Sequence, residues 1–177
     1  MKNVNKILVL GSCGVGKSTF SKRLQKKLKL PLIHLDQYYW KPNWVKTESE
    51  EWRQKVKDLV KRDSWIMDGN HRNTLDVRIP ATEAIIFLDF YRWICFWRIW
   101  KRRFKGNRAS EIPGCKDRVS FELMSRVLWK FPQNRKKFVE QLNGAKVDKK
   151  VFVLKSNKEI ETFLDSVAKN FNSDIIC

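Results

Sequence analysis

The sequence predicts an α/β fold, a three-layer α/β/α sandwich around a five-stranded parallel sheet. Three observations predict it. Five short aliphatic runs recur along the chain, amphipathic helical patterns separate them, and most of the runs stop at Gly or Asp. Runs that are apolar throughout, rather than alternating, indicate strands buried on both faces, as in parallel sheets covered by helices.

The first run, Ile7–Leu10, is stopped by Gly11. From Ser18 to Leu30, Phe20, Leu24 and Leu28 recur every four residues among lysines, which predicts an amphipathic helix ended by Pro31. Leu32–Leu35 reads as a second strand, stopping at Asp36. Thr47 followed by Glu50 has the form of a capping box, opening a helix through Trp52, Val56, Leu59 and Val60. Trp65–Met67 and Ala84–Leu88 are the third and fourth strands, closed by Asp68-Gly69 and Asp89. A helix is expected from Tyr91 to about Lys105, with Trp93, Trp97 and Trp100 read as its core-facing side. Another is expected from Ser120 to about Leu142, broken at Pro132. Val151–Leu154 and Lys158–Asn170 supply the last strand and helix. Lys105–Val119, rich in Gly, Pro and charge, reads as a mobile surface loop.

A chain of 177 residues without repeats reads as one domain that buries a core unaided. Its 37 basic and 19 acidic residues give a net charge of +18, which draws anions. A nucleotide, a phosphorylated metabolite, nucleic acid or an acidic membrane surface all satisfy that charge. The four cysteines form no C-x-x-C pair, which speaks against zinc ribbons and redox pairs and suits reduced thiols in the cytoplasm. The leading apolar run is too short for a signal-peptide core, and Arg98 and Lys101–Arg103 interrupt the most apolar later stretch. The expectation is a cytoplasmic protein with no membrane partner, monomeric or homodimeric.

Gly11-Ser12-Cys13-Gly14-Val15-Gly16-Lys17-Ser18 fits the phosphate-loop pattern G-x-x-x-x-G-K-[ST], between a buried strand and an amphipathic helix as that pattern requires. Its glycines let the backbone wrap closely and turn N–H groups toward phosphate oxygens. Lys17 brings a point charge to the β- and γ-phosphates, and Ser18 a hydroxyl to Mg²⁺. The helix that follows points its positive end at the same anion. ATP with Mg²⁺ is the expected ligand, held by Gly11–Thr19.

Asp36, Asp68 and Asp89 all follow strands, at the sheet edge where ligands of open parallel sheets bind. An Asp there holds Mg²⁺, takes the proton of an attacking hydroxyl, or caps the next helix. Asp89, directly before a helix, reads as a cap; Asp36 and Asp68 read as chemistry. Tyr38, Tyr39, Trp40 and Trp44 leave two readings open, stacking on a bound ring or packing a small satellite core. His34, inside a strand pattern, reads as structural, and His71 as an acceptor-site candidate. Planar guanidinium groups suit the charge that spreads over a moving phosphoryl group, and Arg98, Arg102, Arg108, Arg118, Arg126 and Arg135 surround the expected lid.

Asp68-Gly69-Asn70-His71-Arg72 resembles the D-G-x-x-R segment of adenylate kinase and related nucleoside monophosphate kinases, with His71 where a proline is usual. The resemblance implies an Asp beside Mg²⁺ and an Arg gripping the acceptor's phosphate. Arg98, Arg102 and Arg103 resemble the arginines before the lid of those kinases, and Arg126 and Arg135 those after it. More closely, the chain resembles the bacterial DNA topology modulation (FlaR-related) proteins, of the adenylate kinase-like group. The carrying segments are Gly11–Thr19, His34-Leu35-Asp36, Trp40–Trp44, Trp65–Asn70, Leu88-Asp89, Arg92-Trp93 and Pro113-Gly114-Cys115. This implies a P-loop domain of nucleoside monophosphate kinase-like type over 1–177, with an acceptor-binding segment at 37–62 and a short lid at about 104–130.

The expected activity is transfer of the γ-phosphate of ATP to a small-molecule acceptor, a nucleoside, nucleotide or similar. Lys17, Asp36, Asp68, Arg98 and Arg102 are the expected catalytic residues, and Ser18 and Asp68 the metal ligands. Asp36, Trp40, Trp44, Gly69, His71, Arg72, Arg126 and Arg135 are expected to bind the acceptor. The alternative is a nucleic-acid-binding ATPase affecting DNA topology. A GTPase switch is set aside, since no D-x-x-G follows a strand and Asn157-Lys158-Glu159-Ile160 lacks the Asp of N-K-x-D.

Overall fold

The five aliphatic runs pair into one parallel sheet in the computed structural model, which describes residues 4–105, 112–115, 124, 126–130, 135, 139–140, 144 and 149–173. In chain order the elements are β1 (Lys6–Gly11), α1 (Lys17–Leu28), β2 (Leu32–His34) and α2 (Leu35–Tyr39). Two short strands follow, β3 (Trp40–Lys41) and β4 (Val45–Lys46), then α3 (Ser49–Val60), β5 (Trp65–Asp68) and α4 (Leu75–Ala81). The chain continues through β6 (Ala84–Leu88), α5 (Arg92–Lys105), a π-helical turn (Arg126–Lys130), β7 (Lys150–Leu154) and α6 (Asn157–Ser173). The sheet order is β2-β5-β1-β6-β7, with every neighbouring pair parallel.

Both faces of the sheet are buried, which explains why its strands read as continuous apolar runs. Along β1, Ile7 and Val9 face a layer holding Phe20 and Leu24 of α1, Cys95 and Ile99 of α5, and Leu164 of α6. Leu8 and Leu10 face the other layer, built from Trp52 and Val56 of α3, Leu75, and Met67 of β5. The register sets Val9 and His34 level with Asp68 on the strand between them. The C-terminal ends of β1, β2 and β5 therefore meet at one edge.

Three local expectations are corrected. Thr47 caps no helix: its hydroxyl donates to the Tyr39 carbonyl at 2.6 Å, and α3 begins after Glu48. Asp89 gives its carboxylate to the guanidinium of Arg135, whose Nε lies 2.9 Å from Oδ1. On α5 the buried positions are Cys95 and Ile99, while Trp93, Trp97 and Trp100 are exposed. The helix expected over 120–142, its break at Pro132, and Arg108 and Arg118 lie largely or wholly outside the described residues, as do the side chains of Arg102 and Arg126. Among the described residues, no helix is long and apolar enough to cross a membrane.

Candidate active site

β1 ends at Gly11 and the chain turns sharply into α1 through three glycines with positive φ: Gly11 (147°), Gly14 (78°) and Gly16 (102°). The turn is tightly enclosed. A Cβ on Gly14 would stand 2.5 Å from the Cys95 carbonyl oxygen, and one on Gly11 2.5 Å from that of Leu88. Only glycine meets both the conformation and the space. Gly16 occupies the N-cap of α1, so the first N–H groups of the helix open toward the loop.

Lys17 Nζ donates to the carbonyls of Gly11 and Ser12, both at 2.9 Å, and so lies folded along the loop. Arg98 reaches the same loop from α5, donating to the Val15 carbonyl at 2.6 Å and to Asn157 Oδ1 at 2.9 Å. Its guanidinium also lies over the Phe90 ring, 5.0 Å from the centroid. The Ser12 hydroxyl is buried without a hydrogen-bond partner. Such a group inside an anion-shaped loop is costly unless something completes it.

Asp68 closes β5 as a buried carboxylate, with His34 Nδ1 2.9 Å from both of its oxygens. His34 is thus buried within the fold, and its partner is the Asp expected near the metal. No group of three or more His, Cys, Asp or Glu is gathered around a metal position among the described residues. Mg²⁺ beside phosphates needs no such cluster, since it takes one or two protein oxygens and the rest from phosphate and water.

The loop after β5 joins two halves of the edge. Asn70 Oδ1 accepts from the Gly11 N–H at 3.3 Å. The next residue, His71, places Nε2 3.0 Å from Asp36 Oδ1 at the start of α2. The His71 ring packs against Tyr39 and Trp52, with centroids 4.6 and 4.8 Å away. Tyr39 continues through Trp40 (4.9 Å) to Trp44, 5.4 Å from Trp40. The structure thus brings Asp36, Trp40, Trp44, Gly69 and His71 together. A Cβ on Gly69 would come within 2.8 Å of Leu35 Cβ, which fixes glycine there.

Two expected acceptor ligands stand elsewhere. Arg72 is exposed and lines a shallow surface cavity of about 480 Å³ with Arg53, Leu75 and Asp76. Arg135 is paired with Asp89. Conversely, Arg78 of α4 escaped sequence reasoning. It is fully buried and donates to the carbonyls of Gly69 (2.8 Å), Asn70 (2.9 Å) and His71 (2.8 Å). Burial pushes its pKa down to about 9, so it stays charged at neutral pH. Its flanking by Val77 and Ile79 in a short apolar segment is the one sequence signal for it.

The far end of the segment that follows α2 is held by a second turn. Cys115 N–H donates to the Ile112 carbonyl at 3.1 Å, closing a turn over Ile112–Cys115. Cys115 Sγ accepts from the Trp44 N–H and donates to the Lys41 carbonyl, both at 3.3 Å. Asn43 and Trp44 carry positive φ of 61° and 63°, a strained conformation that this docking holds.

No protein-family model matches the chain, and no curated protein matches it. Solved structures share its fold. A shikimate kinase from Bacteroides thetaiotaomicron is 16% identical with a TM-score of 0.60, over 96% of this chain and 99% of the other. A shikimate kinase from Acinetobacter baumannii, in complex with shikimate, is 11% identical with a TM-score of 0.63, over 98% and 96%. A gluconokinase from Sinorhizobium meliloti is 15% identical with a TM-score of 0.51, over 96% and 97%. The chain thus shares the α/β fold of these proteins across nearly its whole length.

Proposed function

We propose that this protein is an ATP-dependent kinase of a small hydroxyl-bearing molecule. One observation carries the reading: the loop Gly69–His71 bonds to the phosphate loop through Asn70 and to Asp36 through His71. A donor cradle and a candidate proton acceptor are thereby joined by adjacent residues. The shared fold with shikimate kinases and a gluconokinase supports the same reading.

In this mechanism the N–H groups of Gly11–Ser18 and the α1 terminus hold the β- and γ-phosphates. Lys17 leaves the carbonyls of Gly11 and Ser12 for the phosphate oxygens. Ser18 and, through water, Asp68 would hold Mg²⁺, which would supply charge neutralisation on the phosphates. Asp36, oriented by His71, takes the proton as the acceptor oxygen bonds to γ-phosphorus and the bond to the β-phosphate oxygen breaks. Trp40 and Trp44 flank the acceptor. Arg98 fixes the loop's position through the Val15 carbonyl, and Arg102 and Arg126 remain proposed phosphate ligands.

ADP release measured across nucleosides, nucleotides and sugars tests this, with Lys17→Ala as the blank. The blank should lose roughly 10²–10³-fold in turnover while keeping its thermal midpoint. Turnover unchanged in that variant overturns the kinase reading. The second reading, a nucleic-acid-binding ATPase affecting DNA topology, is favoured by the +18 charge. It requires DNA affinity that falls steeply with salt and responds to ATP.

A further inference from the structure

Helix α5 has two unlike faces. Cys95 and Ile99 are buried, and Gly14 of the phosphate loop fits beneath them. The opposite side presents Trp93 (50% exposed), Ile94 (43%), Trp97 (57%) and Trp100 (40%). Positions i, i+1, i+4 and i+7 form one ridge along a helix. Four large apolar side chains in a row on the surface mark an interaction site rather than chance exposure. The charge along the helix has a single sign. No Asp or Glu occurs between Asp89 and Glu111, whereas Arg92, Lys101, Arg103 and Lys105 lie in the helix itself.

We propose that α5 docks on a membrane surface of anionic lipid, with the tryptophan ridge in the headgroup layer and the basic residues against lipid phosphates. Indole suits that layer because it joins a large apolar ring to one N–H donor. Other occupants fit less well. A second copy would press two acid-free basic helices together on chains that each carry +18. Single-stranded nucleic acid needs ring faces free for stacking. Here Trp97 and Trp100 stack on each other with centroids 5.0 Å apart, and Arg92 sits over Trp93 at 5.8 Å. Ile94, in the middle of the ridge, offers no stacking surface. A helix lying on a bilayer also needs no spanning segment.

Co-sedimentation of the full chain with vesicles tests the proposal. Binding is expected to phosphatidylglycerol–phosphatidylcholine vesicles and not to pure phosphatidylcholine, with loss at high salt and a blue shift of tryptophan emission. The double variant Trp97→Ser/Trp100→Ser and the single variant Lys101→Glu should each weaken binding, the double at least about tenfold. Lys101→Glu decides the matter if the double variant loses its native circular dichroism. Wild-type affinity in both variants, or equal binding to neutral vesicles, overturns it. So does a dimer that the double variant dissociates, or binding to oligonucleotides without binding to vesicles.

Discussion

The backbone N–H of Asn43 donates to the carbonyl of Gly114 at 3.1 Å, fastening the turn Ile112–Cys115 onto the proposed acceptor segment. Gly114 has φ of +71°, and a Cβ there would stand 2.9 Å from Pro42 Cβ. Gly114→Ala should therefore cost about 1–3 kcal/mol of local stability. The expected readout is a raised KM for the acceptor with an unchanged Kd for ATP, measured by steady-state kinetics and nucleotide titration. An equal rise in both constants would mean that the turn acts on the whole fold.

Asp36 is part-exposed, whereas Asp68 is buried against His34, so only Asp36 meets an acceptor without rearrangement. Asp36→Asn should lower kcat by roughly 10²–10⁴-fold and leave ATP affinity intact. His71→Gln keeps a hydrogen-bonding group near Asp36 and should lower kcat less. A shift in the acid limb of its pH–rate profile would separate orientation from simple packing.

Arg78 holds three consecutive carbonyls and makes no direct ion pair among the described residues, with Asp76 the carboxylate whose charge it feels. Arg78→Met fills much of the volume but takes the donor from the Gly69 and Asn70 carbonyls, while that of His71 keeps its bonds from Thr74, at roughly 3 kcal/mol. Urea unfolding should show the loss, and Arg78→Lys should recover part of it. A fully stable Arg78→Met would show that water replaces the guanidinium.

Asp76, Glu161 and Glu51 have pKa values held below their ordinary range, chiefly by hydrogen bonds from Arg53, Arg23 and Lys55 respectively. A depressed carboxylate contributes stability above its unfolded pKa, and that stability is lost as pH falls through the folded value. The urea midpoint should thus hold near neutrality and drop below about pH 4. Because all three are surface pairs, added salt should shrink the pH-dependent part.

Much of the fold was legible because parallel strands leave an unmistakable trace. Ala84–Leu88 was read with its own limits, and Ile7–Leu10 and Trp65–Met67 fall inside the strands they predict. Helix α2 and the β3–β4 pair were not read, since five residues or fewer carry no periodicity, and Trp and Tyr suit helix, strand and loop alike. The face of α5 was misread for a related reason. Periodicity shows that Trp93, Trp97 and Trp100 share a side, but Cys95 and Ile99 share another, and spacing does not say which one meets the sheet. Of the candidate site, the phosphate loop was legible because its residues are contiguous. The Asp36–His71 pair joins residues on different elements, and only the sheet order brings them together.

The bond from Gly11 N–H to Asn70 Oδ1 has a thermodynamic consequence. In the proposed reaction that N–H belongs to the phosphate cradle, and the residue after Asn70 holds the proton acceptor in place. If occupation of the cradle strengthens or weakens this bond, it alters the acceptor pocket's affinity. Reciprocity then requires the acceptor to alter the affinity for ATP by the same factor. The two substrates would sense one another through a single amide, before either touches the other.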